Sequence, residues 1–451
     1  MVSPSSAAAP EMLDEDRALS LVEEAIAASD ADGVFVSVEA GTSALSRFSD
    51  NQMTQNLSRT RFSLSITSYV GERSATTTTT ELNGDAIRAT VQRSRELAEI
   101  APIDPEWVPL LGPQTYPQYE SGFDEATATC SARQRGERVH RSCELSQRAG
   151  VAGSGSLSTD EKLTAIGNST GLRASDRRTE AEFSFTARID DGTGWHQRTA
   201  WNLGALPIEA LVRDAIARAQ ASCHPRPIAP ATYPVIMTPA AVAELASWIM
   251  WNLDARAADE GRSFMSRVST AEAPAGNRLG EQLFSPLVQI RRDSSHPLLR
   301  LCPFFRNGLP NSDLDIVRDG IPSALSYSRY WAIQTQSVPT GPMSPFVMKG
   351  SDRSLDDLIA QTERGILINR AWYVRYVNPK TLEVTGMTRD GTAWIEDGKI
   401  AYPIQNLRFN QSLPNLFRDI DALGTVERHG NCVVPSARSR GLRFDSVTDS
   451  I

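Results

Sequence analysis

Lysine is almost missing from this 451-residue chain. Lys162, Lys349, Lys380 and Lys399 are the only ones, and arginine carries the rest of the positive charge, a bias found in GC-rich bacterial genomes. Against 46 Lys and Arg stand 54 Asp and Glu, a formal net charge of −8. That balance argues against a nucleic-acid platform, because nothing offsets repulsion from phosphates. Cysteine is also sparse: Cys130, Cys143, Cys223, Cys302 and Cys432 are scattered, odd in number and never in a C-x-x-C pair. This argues against a disulfide framework and a clustered thiolate zinc site, and points to a reducing cytoplasm. The five histidines, His140, His196, His224, His296 and His429, include no two at helical spacing, so no helix offers a pair of imidazoles. No stretch approaches the roughly 20 apolar residues of a membrane span. The first residues carry neither a basic n-region nor an apolar h-region, so 1–16 are expected to form a disordered tail.

What is present is an ordinary soluble composition, 40% hydrophobic and 22% charged, in a chain long enough for two domains. Residues 17–29 place Leu19, Val22 and Ile26 on one helical face, and Val34–Val38 read as a strand. Phe62, Leu64 and Ile66 alternate with polar residues, and Gly71–Ser74 turns the chain into a β-branched strand at Thr76–Thr80. A helix is predicted over 84–101, an alternating strand over Ala181–Ile189, and an amphipathic helix over 206–220. The proline-rich stretch 223–232 cannot continue that helix and is taken as a connector between domains 17–222 and 233–451. Beyond it come a strand at Tyr233–Met237 and a helix from Pro239 to about Ala257. A helix over 354–364 has Ser354 as N-cap and is closed by Gly365. A hairpin spans Trp394–Tyr402 around Asp397-Gly398. The fold class is α+β, with a mostly antiparallel N-terminal sheet and a β-rich, barrel-like C-terminal domain, each with helices.

Motifs for common chemistries are missing: no G-x-x-x-x-G-K-[ST], no G-x-G-x-x-G and no H-E-x-x-H. Gly167-Asn168-Ser169-Thr170-Gly171 satisfies G-x-S-x-G, but the polar residues 173–178 lead into a strand, not the helix that a nucleophile elbow needs. A hairpin turn accounts for it better. Gly194-Trp195-His196 reads as a strand end, and Trp248 and Trp251 as core packing or a subunit contact.

Several segments, taken in order, resemble the TldD/PmbA family. They are Tyr233–Met237 with the following helix, Asp315–Ile321, Val384–Gly391, Ile395–Ile404 and Leu413–Gly424. In the first half, 45–71 and Ser158-Thr159-Asp160 with Asn168–Gly171 carry the likeness. The resemblance implies a pair of chains, a zinc-bearing TldD-like subunit and a metal-free TldE (PmbA)-like one. Where the zinc subunit has H-E-x-x-x-H, this chain has Ala243, Glu244 and Trp248, and the family's later Cys-Gly corresponds to His429-Gly430. The resemblance therefore implies no metal and no catalytic residue in this chain, with zinc expected in the partner. The expected role is a cytoplasmic heterodimer acting on unfolded or modified peptides, not catalytic alone. The other readings are a peptide-binding or scaffold homodimer and a subunit dedicated to modified-peptide or specialised-metabolite biosynthesis. Trp372, Tyr373, Arg375, Thr388 and Arg389 are candidates for the peptide path, because aromatic and arginine residues cluster there.

Overall fold

The computed structural model describes residues 13–269 and 275–448. Most of the expected tail, 1–12, lies outside the described residues, and the first helix starts inside the rest of it. In order the first half has α1 (Glu15–Ala27), β1 (Gly33–Ser49), β2 (Gln52–Val70), β3 (Arg73–Thr79) and α2 (Gly84–Ile100). A single turn, α3 (Glu125–Ala128), and α4 (Ala132–Arg148) follow, then β4 (Ala152–Asn168), β5 (Arg173–Ile189), β6 (Gly192–Ala200) and α5 (Ile208–Ala221). The strands form one antiparallel sheet in the order β3-β2-β1-β4-β5-β6.

Strand periodicity decides which face is covered. Val34, Val36, Val38, Leu64, Ile66, Leu163 and Ala165 point to one side and pack on Ala18, Leu21, Val22 and Ala25 of α1 and on Ile87 and Val91 of α2. Farther along, Leu157, Phe183 and Phe185 pack on Val139 of α4 and on Leu211, Val212 and Ala215 of α5. The buried stripe of α1 is thus one position away from the Leu19-Val22-Ile26 face; Leu19 and Ile26 sit at its margin. The helices lie on that one side, and the opposite face of β1, β2 and β4 presents Glu39, Ser43, Arg59, Arg61, Asp160 and Lys162 to an open cavity.

The second half is built on β7 (Thr232–Met237), which runs antiparallel to the C-terminal strand Cys432–Val447 and parallel to Arg364–Ile368. This sheet has 13 strands and remains open, with edges at Ile321–Pro322 and Lys399–Pro403, so the barrel-like expectation does not hold. Above it lies α6 (Pro239–Trp251). That helix stops short of Ala257: Asn252 turns its amide to the Trp248 carbonyl at 2.8 Å, and Asp254 caps a new short helix, Ala255–Asp259. The capping box at Ser354 is present, but the helix ends at Ala360, because Gly365 belongs to a strand paired with β7. Gly194-Trp195-His196 lies within β6, not at its end, since both neighbours of the tripeptide stay in register with β5. The Asp397-Gly398 turn forms as expected, with both residues at positive φ. Among the described residues no helix is long and apolar enough to cross a membrane.

The G-x-S-x-G segment is the β4–β5 turn. Asn168 Oδ1 accepts from the Thr170 and Leu172 N–H groups at 3.1 and 3.0 Å, and Ser169 Oγ accepts from the Val34 N–H at 3.1 Å. The hydroxyl is therefore part of the joint between β1 and β4. Ser169→Ala is expected to destabilise the chain by about 1 kcal/mol, because it leaves a strand N–H without its acceptor. Chemical denaturation of the two proteins measures this.

Candidate functional site

The helix α6 begins with Pro239 in its first turn and buries Ala241, Val242, Leu245, Ala246 and Ile249. Ala243 is buried too, Trp248 is partly buried, and Glu244 faces outward with its carboxylate 3.4 Å from Trp248 Nε1. Ser247 returns its hydroxyl to the Ala243 carbonyl at 2.7 Å. Opposite this helix is Cys432. Burial pushes its thiol up to about 12, while the Ser247 hydroxyl and Arg428 pull it down and Glu244 adds to the rise. The cysteine beside α6 is thus Cys432. His429, which the sequence aligned with the family's cysteine, engages Glu427 at 3.3 Å instead.

A catalytic zinc site takes about three nitrogen, sulfur or carboxylate ligands from the protein. Here the corresponding positions offer a methyl group and an indole, with one buried thiol, Cys432, beside them. Among the described residues no group of three or more His, Cys, Asp or Glu side chains converges. The residues present do not fit the ion.

Beside this remnant the two halves meet through charged and amide groups. Arg198 of β6 reaches Glu427 at 2.5 Å, and Arg428 reaches Glu180 of β5. Burial opposes ionisation of Glu427, yet His429 and Arg198 together hold its carboxyl at about 2. Burial pushes the nearby His196 imidazole down to about 4, with Arg218 adding to the fall and Glu427 opposing it. Buried Asn369 joins four segments: its amide donates to the Trp195 and Asp390 carbonyls at 3.1 and 2.7 Å, it accepts from Arg218, and its carbonyl accepts from Thr238 at 2.7 Å. Arg370 stacks between Trp195 and Trp372, at 4.1 and 4.0 Å from their ring centres.

The peptide-path candidates belong to the hairpin Arg370–Asn378/Glu383–Arg389. Trp372 is covered by Arg370 and, at 5.4 Å, by Arg389; Arg375 stacks on Tyr373 at 4.5 Å. Thr388 is fully buried and accepts the Leu407 N–H at 3.0 Å, so it does not face a ligand path. None of the five lines the large cavity. The hairpin instead meets α6, where Tyr376 packs edge-on against Trp248 at 4.7 Å and reaches Asn252 at 2.8 Å.

The large cavity, about 1810 Å³, lies between the uncovered face of the N-terminal sheet and two loops of the second half around Phe304–Asn307 and Pro342–Pro345. Asn431, next to Cys432, closes one end. Of the segments singled out in the sequence, 45–71 reaches it through Leu45, Leu57 and Arg59–Ser63, and Ser158-Thr159-Asp160 through Ser158 and Asp160. The available signal was the run of polar residues at period two through β1 and β4, which marks a sheet face without helices.

The pH response of the seam follows from His196. Its folded value near 4 lies below the ordinary 6.5, so the unfolded chain takes the proton first. Stability is fully present above about pH 6.5 and is lost as pH falls toward about 4. Melting temperatures at about pH 7 and about pH 5 should show a smaller acid-induced fall in His196→Gln than in the parent chain.

With this geometry in hand, likeness to known proteins is informative. Family models described as PmbA/TldA metallopeptidase domain 1, central domain and C-terminal domain match residues 34–98, 121–222 and 230–446. Metalloprotease PmbA of Escherichia coli O157:H7 is 23% identical over 439 residues, covering 92% of each chain. The fold is similar to that of TldE from Thermococcus kodakarensis, with a TM-score of 0.81 at 17% identity over 95% of this chain and 99% of that one. It is also similar to a putative modulator of DNA gyrase from Bacteroides thetaiotaomicron, with a TM-score of 0.82 at 18% identity over 96% and 100% of the two chains. This chain belongs to the PmbA/TldD metallopeptidase family.

Proposed function

We propose that this chain is the metal-free, TldE-like member of a two-chain peptidase, and that it pairs with a zinc-bearing TldD-like chain. The observation that carries the reading is the donor set on α6: Ala243 and Trp248 stand where a zinc-binding member has histidines, and Glu244 and Cys432 nearby are joined by no third donor among the described residues. The partner supplies the hydrolytic centre. This chain contributes the cleft, whose long antiparallel wall and volume of about 1810 Å³ suit an extended, unfolded peptide.

Exposed apolar side chains on α6 and the adjoining hairpin, among them Trp251 and Tyr376 with rings 6.2 Å apart, support the pairing. Trp251 is 71% exposed, Tyr373 60%, Val377 52% and Tyr376 40%, all around the end of α6. Aromatic residues left to water in one patch are the usual anchors of a protein–protein contact.

Purified alone, the chain is expected to hold far less than stoichiometric zinc by elemental analysis and to show no chelator-sensitive peptide cleavage. A tightly held zinc ion together with peptidase activity overturns the proposal. Co-expressed with a zinc-bearing family member, it should be recovered as an equimolar complex. Trp251→Asp, at an exposed position that leaves the core untouched, should lower that recovery about ten-fold or more, as measured by size-exclusion chromatography.

A further inference from the structure

The cleft wall has a charge pattern that the fold itself does not require. Strand register places Arg61 of β2 opposite Gly41 of β1, Gly41 opposite Lys162 of β4, and Lys162 opposite Arg178 of β5. All four positions lie on the helix-free face. Three cations therefore form one row across four strands, in a protein whose net charge is −8. Like charges placed directly opposite, as Lys162 and Arg178 are, weaken a sheet. Arg178 is held by Asp176 at 2.8 Å, but Arg61 and Lys162 have no ion-pair partner among the described residues.

Glycine at the centre of the row, where a Cβ would meet the Glu161 carbonyl oxygen at 2.7 Å, puts no side chain between the cations. The Arg61 and Lys162 backbones are two strand spacings apart, roughly 10 Å, so both long side chains can close over Gly41. The neighbouring rows limit what fits. On one side Glu39 is tied to Arg306. On the other, roughly 7 Å along the strand, Asp160 stands opposite Glu180, with Arg59 two strands away. The positive stripe is thus the width of a single anionic group, and the next row favours hydrogen-bond donors. A side pocket of about 240 Å³ shares Lys162 and Arg178 with the cleft and adds Arg300. The Arg300 Nε is buried without a hydrogen-bond partner among the described residues, a donor in need of an oxygen.

We propose that Arg61, Lys162 and Arg178, arranged over Gly41, form a subsite for the C-terminal carboxylate of an extended peptide. A peptide end matches the pattern because its single carboxylate is followed, one residue back, by backbone N–H donors facing Asp160. A polyanion matches less well, since its next charge on this path meets Asp160. The inference rests on the peptide-cleft reading above and specifies which end of the peptide is held.

The test uses the full-length chain and a short, N-acetylated, uncharged fluorescent peptide, once with a free C-terminal carboxylate and once as the C-terminal amide. The acid form should bind about ten-fold more tightly than the amide, the value of a charge-assisted contact. The preference should vanish in Lys162→Met and Arg61→Met, whose folding is checked by circular dichroism, and persist in Lys162→Arg. Equal affinity of acid and amide in the parent chain overturns the subsite and leaves the peptide cleft standing. A preference that survives in both Met variants overturns its assignment to this row. If neither peptide binds, the peptide-cleft reading and the subsite fall together.

Discussion

The Arg198–Glu427 ion pair and the buried amide of Asn369 set how the second half of the chain sits against the first. Asn369 is buried, whereas the ion pair keeps 19% and 28% of its side-chain surface and adds little net stability of its own. Such contacts act as a register: many arrangements could bury apolar surface, but few give every one of these groups its partner. With Arg218, Thr238, Trp195 and Asp390 all tied to Asn369, the angle between the two sheets is fixed. That angle determines the width of the cleft.

The cleft exists because the N-terminal sheet is covered on one side only. Residues alternate across a strand, so the apolar set that seats α1, α2, α4 and α5 leaves an equally long polar set on the reverse. The second half faces that polar wall through loops such as Phe304–Asn307 and packs a small apolar cluster onto it near the β4–β5 turn, where Phe304 meets Ile166 and Leu172. A charged surface over 1810 Å³ of open space is then stable as it stands, and its pattern of cations and acids is free to serve recognition.

On α6 the opposite has happened. The two positions that the family resemblance singles out are taken up by packing: Ala243 is buried, and Trp248 is part of an aromatic group with Trp251 and Tyr376. Cys432 remains beside them, but burial disfavours its thiolate. The helix is thus seated against the C-terminal strand by apolar contacts.

By itself the sequence determined the α+β class, the long alternating strands, the Asp397-Gly398 and Asn168–Gly171 turns, and the missing imidazoles on α6, because each is a matter of local periodicity, turn chemistry or residue identity. It placed the end of α6, the short helix after Ser354 and the side of α1 less well, since those boundaries are set by a competing cap at Asp254, by recruitment of Gly365 into a sheet, and by which stripe the sheet accepts. Only the tertiary structure decided that the second sheet stays open, that Cys432 and not His429 lies against α6, and that Thr388 is buried. It also brought Arg61, Gly41, Lys162 and Arg178 into one row. These four residues span 138 positions of the chain, and no local pattern relates them; strand register across three separate pairings does.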